Sequence, residues 1–316
     1  GISGPKKSGR SHQTLVETLL GTLTRVESQQ EFSTAWARIA NHFDILFTTE
    51  ASIDQLKQTI LQLAVMGKLV PQDPNDEPAS IALSRVAKIR RTAREAETKS
   101  KKISAGVDRQ PIPFAMPEGW AWVSIDEFCS VKGGIQKQPK RQPKLNHFPY
   151  LRVANVQRGF IDVGEMERFE LEHGELEKWE LKSGDILIVE GNGNEEEIGR
   201  CAIWHGEIEE CVYQNHLIRV RPYLVGLEEF VSKFLNSPIG MEEMKRLAVT
   251  TSGLYNLSVG KIRVIAVPLP PIEEQHRIVA KVDELMALCD ALKARLSDAQ
   301  TTQLHLADAL VEQAIG

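Results

Sequence analysis

Apolar residues recur at helical steps through the first 66 positions. Leu15, Leu19, Leu23 and Val26 step by four, four and three, and Phe32, Trp36, Ile39 and Phe43 by four, three and four, so each set shares one face of a short helix. Ile53, Leu56, Ile60 and Leu63 predict a third helix over 51–66, which Gly67 ends and which Pro71 and Pro74 keep from resuming. The most regular pattern is near the other end, where Ile278, Val282, Leu285, Cys289, Leu292 and Leu296 alternate steps of four and three, the spacing of a coiled-coil seam. Since Ile53 to Leu63 alternates in the same way, these two helices are expected to pair, with a separate domain inserted between them. Two ordinary core helices are the plainer alternative.

The period changes after Pro111, Pro113 and Pro117. Short β-like runs at 120–125, 150–153, 185–189, 201–204 and 216–220 are separated by glycine-rich or charged connections. Leu227, Phe230, Val231 and Phe234 have helical spacing, and Ser237 followed by Pro238 offers a cap and a first-turn proline for another helix. The fold class is therefore α+β, one mixed α/β domain flanked by helices. The expected divisions are a tail at 1–10, a helical region and basic linker at 11–110, the mixed domain at 111–268 and a final helix at 269–316.

Composition adds limits. The 316 residues are 42% hydrophobic and 26% charged, as in ordinary globular proteins, and no apolar run reaches the roughly 18 residues of a membrane span. The four cysteines, at 129, 201, 211 and 289, form no C-x-x-C pair; zinc-ribbon and thioredoxin-like motifs are absent, and a reducing, cytoplasmic compartment is expected. A net charge of −5 argues against a bulk polyanion binder. The charge is unevenly spread, however: residues 85–102 hold eight basic and two acidic groups, and residues 162–180 eight acidic and two basic. The basic run suits either nucleic-acid contact or a solvated linker helix.

Enzymatic signatures are missing. Gly260-Lys261-Ile262 lacks the leading glycine and the Ser or Thr of a phosphate loop, and no H-E-x-x-H or similar histidine grouping occurs. Asp185 and Glu190 lack the lysine of a nuclease-like set, so Asp185 reads as a turn residue entering a strand, and His216 as a structural histidine. No catalytic or metal-ligating residue is assigned.

What stands out is the stretch 132–144, with Lys132, Lys137, Lys140, Arg141 and Lys144, no acids, and three glutamines that include Gln136 and Gln138. Its basic groups can neutralise phosphates, and Gln and Arg have the bidentate geometry that reads adenine and guanine edges in the major groove. A solvated surface loop is the bland alternative. Asn192 and Asn194, among glycines that admit close approach to a phosphate, form a second candidate contact, and Thr250, Thr251, Ser252, Tyr255 and Asn256 a third.

Three stretches together resemble one family. Leu56-Lys-Gln-Thr-Ile-Leu-Gln-Leu-Ala-Val-Met-Gly-Lys-Leu-Val-Pro71 and Val267-Pro-Leu-Pro-Pro-Ile-Glu-Glu-Gln-His-Arg-Ile-Val-Ala-Lys-Val-Asp-Glu-Leu285 are similar to the conserved helical regions of specificity subunits of type I restriction-modification systems. Between them, Tyr150 to Asn155, Gly184 to Leu187, Gly199-Arg200 and Gln214 to Arg219 resemble landmarks of that family's target-recognition domain. The resemblance implies a non-enzymatic DNA-specificity component. One target-recognition domain would read half of a bipartite site in double-stranded DNA, and the flanking helices would pair as an antiparallel coiled coil that docks methyltransferase subunits and, through them, the restriction subunit. S-adenosylmethionine, ATP and magnesium would belong to those partners, with no cofactor held by this chain. A full subunit of the family has two such domains, so the chain resembles a carboxy-terminal half. A faint likeness between residues 12–19 and 303–310 agrees with this, and a single-domain form that dimerises is the alternative. A rival from another class is an assembly scaffold whose α/β domain binds protein, favoured by the acidic stretch 162–180, which would repel DNA.

Overall fold

The computed structural model describes residues 5–96, 114–191, 198–248 and 255–315. They separate into two compact units, 1–64 with 280–316, and 65–279.

The first unit opens with α1 (Pro5–Arg25), α2 (Gln29–Ala40), α3 (Phe43–Leu46) and α4 (Glu50–Val65). Residues 5–10, expected to be a tail outside the fold, belong to α1. A capping box starts α2: the Glu31 amide donates to Ser28 Oγ at 3.2 Å, and the Ser28 amide donates to the Glu31 carboxylate at 3.3 Å. The faces that α1 and α2 bury match those expected in part, Leu23 and Ile39 being buried as the spacing predicts. Val16, Leu20 and Leu23 are buried on α1 while Leu15 is exposed, and Ala35 and Ile39 are buried on α2 while Trp36 is exposed. Steps of three and four fit more than one rotation of a helix, and the neighbouring helices select among them.

The second unit runs through α5 (Ala79–Ala96), β1 (Ala121–Ser124), α6 (Ile125–Phe128), β2 (Cys129–Gly133), β3 (His147–Leu151), β4 (Glu167–Glu170), α7 (Glu175–Trp179), β5 (Asp185–Val189), β6 (Cys201–Trp204), β7 (Val212–Tyr213) and β8 (Leu217–Pro222). It continues with α8 (Leu227–Asn236), α9 (Pro238–Ala248), α10 (Val259–Arg263) and β9 (Ala266–Leu269). Last comes α11 (Ile272–Ile315), whose residues from 280 onward belong to the first unit.

Within the first unit, α4 and α11 lie antiparallel. Asp54 pairs with Lys293 at 2.9 Å and Lys57 with Asp290 at 2.5 Å, so the numbering rises along one helix as it falls along the other. Ile53, Leu56, Ile60 and Leu63 are buried, as are Val282 and Cys289, and Leu285, Leu292 and Leu296 are half-buried. Ile278 is buried too, within the second unit. From Ser297 to Ala314 the helix is exposed throughout.

The second unit holds three sheets. A four-stranded antiparallel sheet has the order β2-β8-β5-β6, a three-stranded sheet the order β4-β3-β7 with β3 and β7 parallel, and β1 pairs with β9. Every residue of β5 is buried, as a continuous apolar run predicts for a strand covered on both faces. Leu187 and Val189 pack in a cluster with Leu151, Ala202, Trp204, Tyr213 and Leu217. A smaller cluster of Ile135, Tyr150, Phe169, Leu171 and Val212 lies under the three-stranded sheet, with the Tyr150 and Phe169 rings stacked at 4.2 Å. Strands β2, β4, β7 and β9 were not expected. Only Phe169 is apolar in β4, β7 has two residues, and Pro268 in β9 reads as a breaker, which the two-stranded sheet tolerates because each of its strands is an edge.

Much of the basic run 85–96 is helical and docks on this unit, with Arg90 paired to Asp126 at 2.5 Å and Arg85 paired to Glu77. Residues 97–102 lie outside the described residues. No described helix is long and apolar enough to cross a membrane.

Candidate nucleic-acid interface

The basic loop leaves β2 at Gly133 and returns as β3 at His147. Its root is stitched to the segment before β8: the Gly134 amide donates to Leu217 O at 3.2 Å, the Ile135 amide to Tyr213 O at 2.8 Å, and the Asn215 amide to Ile135 O at 2.9 Å. The approach is close enough that a Cβ on Gly134 would sit 2.3 Å from the carbonyl oxygens of both Tyr213 and Gln214.

Along the loop, the predicted contact residues meet carboxylates. Lys137 pairs with Glu167 at 3.1 Å and Lys140 with Glu172 at 2.9 Å. Arg141 grips Glu175 with two bonds, of 2.6 and 2.8 Å, and its guanidinium lies 5.6 Å from the centre of the Phe169 ring. Lys132 donates to Lys178 O at 2.9 Å and stands 4.6 Å over Trp179. The amides of Lys144 and Asn146 donate to the Glu170 carboxylate at 2.8 and 2.9 Å. The sequence suggests a basic face and a separate acidic one; the structure places them side by side. Antiparallel pairing of β3 with β4, His147 opposite Glu170 and Tyr150 opposite Glu167, is the cause, since it lays the acidic strand along the returning end of the loop. Three of the eight acids in the stretch, Glu167, Glu172 and Glu175, are thus paired with basic groups of the loop.

These contacts shift the carboxyls. The side-chain bonds from Arg141 hold Glu175 down at about 2, against the opposing effect of burial. Backbone amides of Asn146 and Lys144 hold Glu170 below the usual carboxylate range. Arg141 and Glu175 are mostly buried, whereas Gln136, Lys137, Gln138, Lys140 and Lys144 are exposed.

A second feature gathers residues from four segments. Gln136 follows Ile135, which bridges in parallel to Gln214; Asn215 and His216 come next. The Glu190 amide donates to His216 O at 3.0 Å, and the His216 ring lies 3.1 Å from the Glu190 carboxylate. Leu257 donates to Glu190 O at 2.6 Å, and the backbone of Tyr255 and Asn256 runs beside Gly191, where a Cβ would meet Tyr255 O at 3.0 Å. The result is a rim of hydrogen-bonding groups at the ends of β2, β5 and β8, with Gln136, His216 and Asn256 exposed. Glu190, Gln214, Asn215 and His216 were not assigned to the interface from sequence. The available signal was Gln214-Asn215-His216 itself, three polar side chains in a row between buried strands. Asn192, Asn194, Thr250, Thr251 and Ser252 lie outside the described residues.

Two other residues are accounted for by structure. Asp185 is fully buried and bonds Arg221 across the sheet at 2.5 and 2.6 Å, which makes it a strand anchor. Asn155 accepts from the Arg152 amide and donates to Asp162 O and Glu165 O, closing the connection between β3 and β4. Among the described residues, no cluster of His, Cys, Asp and Glu could hold a metal ion.

The model of the type I restriction modification DNA specificity domain matches residues 117–299. The chain belongs to this family. It is 36% identical over 308 residues to the type I restriction enzyme EcoAI specificity subunit and 37% identical over 314 residues to the EcoEI specificity subunit, both of Escherichia coli. Each match covers 96% of this chain and 52% of the relative, so the chain spans about half the length of these specificity subunits. A solved chain from a type I R-M system assembly has the same fold, with a TM-score of 0.51 and 18% identity over 88% of this chain and 58% of that one. In this specificity-domain chain the family match takes in the whole stretch from β1 to the middle of α11, including both the loop and the rim.

Proposed function

We propose that this chain supplies DNA sequence specificity to a cytoplasmic type I restriction-modification complex, its β-rich unit reading one half of a bipartite duplex target. The observation that carries this reading is the rim that backbone bonds assemble from the segments of Gln136, His216 and Asn256, each exposed, inside the family-matched region. These side chains offer paired donors and acceptors of the kind that read base edges, while Lys137, Lys140 and Lys144 lie along a loop that can follow the phosphate backbone. The second half-site would come from another target-recognition domain or a second copy of the chain. Methylation and cleavage, with their S-adenosylmethionine, ATP and magnesium, would belong to partner subunits docked on the paired helices.

Sequencing the methylome of cells that carry the system identifies the target. Binding of the chain, assembled with its methyltransferase subunits, is then measured on target and scrambled duplexes at two salt concentrations. Gln136→Ala, His216→Ala or Asn256→Ala should each weaken target binding by about 5- to 150-fold and narrow the gap to scrambled DNA. Lys137→Ala and Lys140→Ala should weaken both duplexes alike and flatten the salt slope by about one each. Target binding unchanged in all three rim variants would refute the assignment.

A further inference from the structure

Four carboxylates, from β4, the turn after it and the start of α7, occupy the anion positions of the basic loop. Glu170 sits where the consecutive amides of 144–146 point, the arrangement in which backbone nests bind phosphate. Glu167, Glu172 and Glu175 take Lys137, Lys140 and Arg141. We propose that Glu167 and Glu172 are internal stand-ins for DNA phosphate, competing with the duplex for Lys137 and Lys140 and so suppressing binding to DNA of the wrong sequence. The inference rests on the loop following the DNA backbone, as read above.

Exposure separates the exchangeable pairs from the fixed one. The Arg141 and Glu175 side chains are 12% and 21% exposed and joined by two bonds, so this pair anchors the loop. In contrast, Lys137 and Glu167 are 61% and 38% exposed, and Lys140 and Glu172 are 59% and 68% exposed. Solvated pairs of this kind shift an equilibrium only about 1.4- to 5-fold each, weak enough for a polyanion to displace. A duplex in register recovers the cost through base contacts at the rim, whereas a duplex out of register has only the phosphate contacts to offer. The carboxylates therefore lower both affinities by the same factor, and only the duplex in register keeps enough binding energy, from the rim, to stay bound. Glu172 is the cleaner member to test, because Glu167 is shared with Arg152 at 3.1 Å.

The test measures affinity for a scrambled duplex by fluorescence anisotropy at fixed salt, after thermal melts show that each variant folds. Glu172→Gln should tighten this binding by about 1.4- to 5-fold, and Glu167→Gln with Glu172→Gln by about 2- to 30-fold. Glu177→Gln, an exposed acid on the same helix as Glu175, controls for general repulsion and should have a smaller effect. In a Lys140→Ala background the gain from Glu172→Gln should disappear, as a double-mutant cycle requires of a competing pair. No tightening, an equal gain from Glu177→Gln, or a gain that survives Lys140→Ala would overturn the proposal. If Lys137→Ala and Lys140→Ala weaken DNA binding while the glutamine variants do nothing, only the mimicry fails. If the lysine variants also do nothing, the loop's role in DNA binding fails with it.

Discussion

Replacing Gly134 by alanine tests how the basic loop is held against the rim. The new Cβ would stand 2.3 Å from two backbone carbonyl oxygens and 2.6 Å from the Gln214 carbonyl carbon. Carbon and oxygen in contact sit about 3.3 Å apart, so the loop root and the Tyr213–Gln214 segment must separate by about 1 Å. Three backbone hydrogen bonds span that junction, from the Gly134, Ile135 and Asn215 amides. At a net 0.5–1.5 kcal/mol each, their loss amounts to about 1.5–4.5 kcal/mol, and alanine's stiffening of the unfolded chain returns about 0.4–1 kcal/mol. A net destabilisation of about 0.5–4 kcal/mol is expected, measured as a lower midpoint of urea unfolding with an unchanged slope. Gly133→Ala is the matched control, since its Cβ would meet only Val259 Cγ2, at an ordinary 3.7 Å. Target affinity should fall in Gly134→Ala as well, because Gln136 moves with the loop root. A Gly134→Ala protein within about 0.5 kcal/mol of the parent would refute the reasoning.

Two further predictions concern the helices and the fixed ion pair. Ile53→Ala, at a fully buried position of α4, should cost about 2–5 kcal/mol by chemical denaturation, whereas Leu288→Ala, at a position 61% exposed on α11, should stay within about 0.5 kcal/mol. Glu175, held at about 2 against an ordinary 4.5, binds its proton more weakly in the folded than in the unfolded chain. Its stabilising contribution is therefore complete above about pH 4.5 and is lost as pH falls toward 2. Denaturation midpoints between pH 6 and pH 3 should drop for the parent, and Glu175→Gln should remove part of that drop, no more than about 3 kcal/mol. Equal drops in the two proteins would show that the Arg141–Glu175 pair does not carry it.

The parts of this protein legible in its sequence are those set by local repetition. Helix α4, the seam on α11, the buried strands β5 and β6 and the capped start of α9 all appear as runs of apolar side chains or as turn residues, and neither needs a distant partner to be recognised. Helix rotation was less legible: α1 buries Val16 and Leu20 where Leu15 and Leu19 were expected to lead, because a 3.6-residue period leaves room for two adjacent faces. Strand β4 was hidden for another reason. Its sequence, Glu167 to Glu170, presents one apolar side chain among three charges, and only pairing with β3 makes it a strand.

By itself, then, the sequence determined the class of fold, the flanking helices and the family to which the motifs pointed, because these follow from periodicity and from short contiguous signatures. Tertiary structure alone decided which charges face one another and which polar groups share a surface. The loop 132–144 and the stretch 162–180 carry opposite charges whose relation no local pattern records; strand pairing turned them into neighbours, with Arg141 in a mostly buried pair and Lys137 and Lys140 in exposed ones. The rim likewise joins Gln136, Glu190, His216 and Asn256, which lie up to 120 positions apart, through backbone hydrogen bonds at strand ends. A sequence fixes the chemistry each residue can offer, and only the folded chain fixes what that chemistry meets.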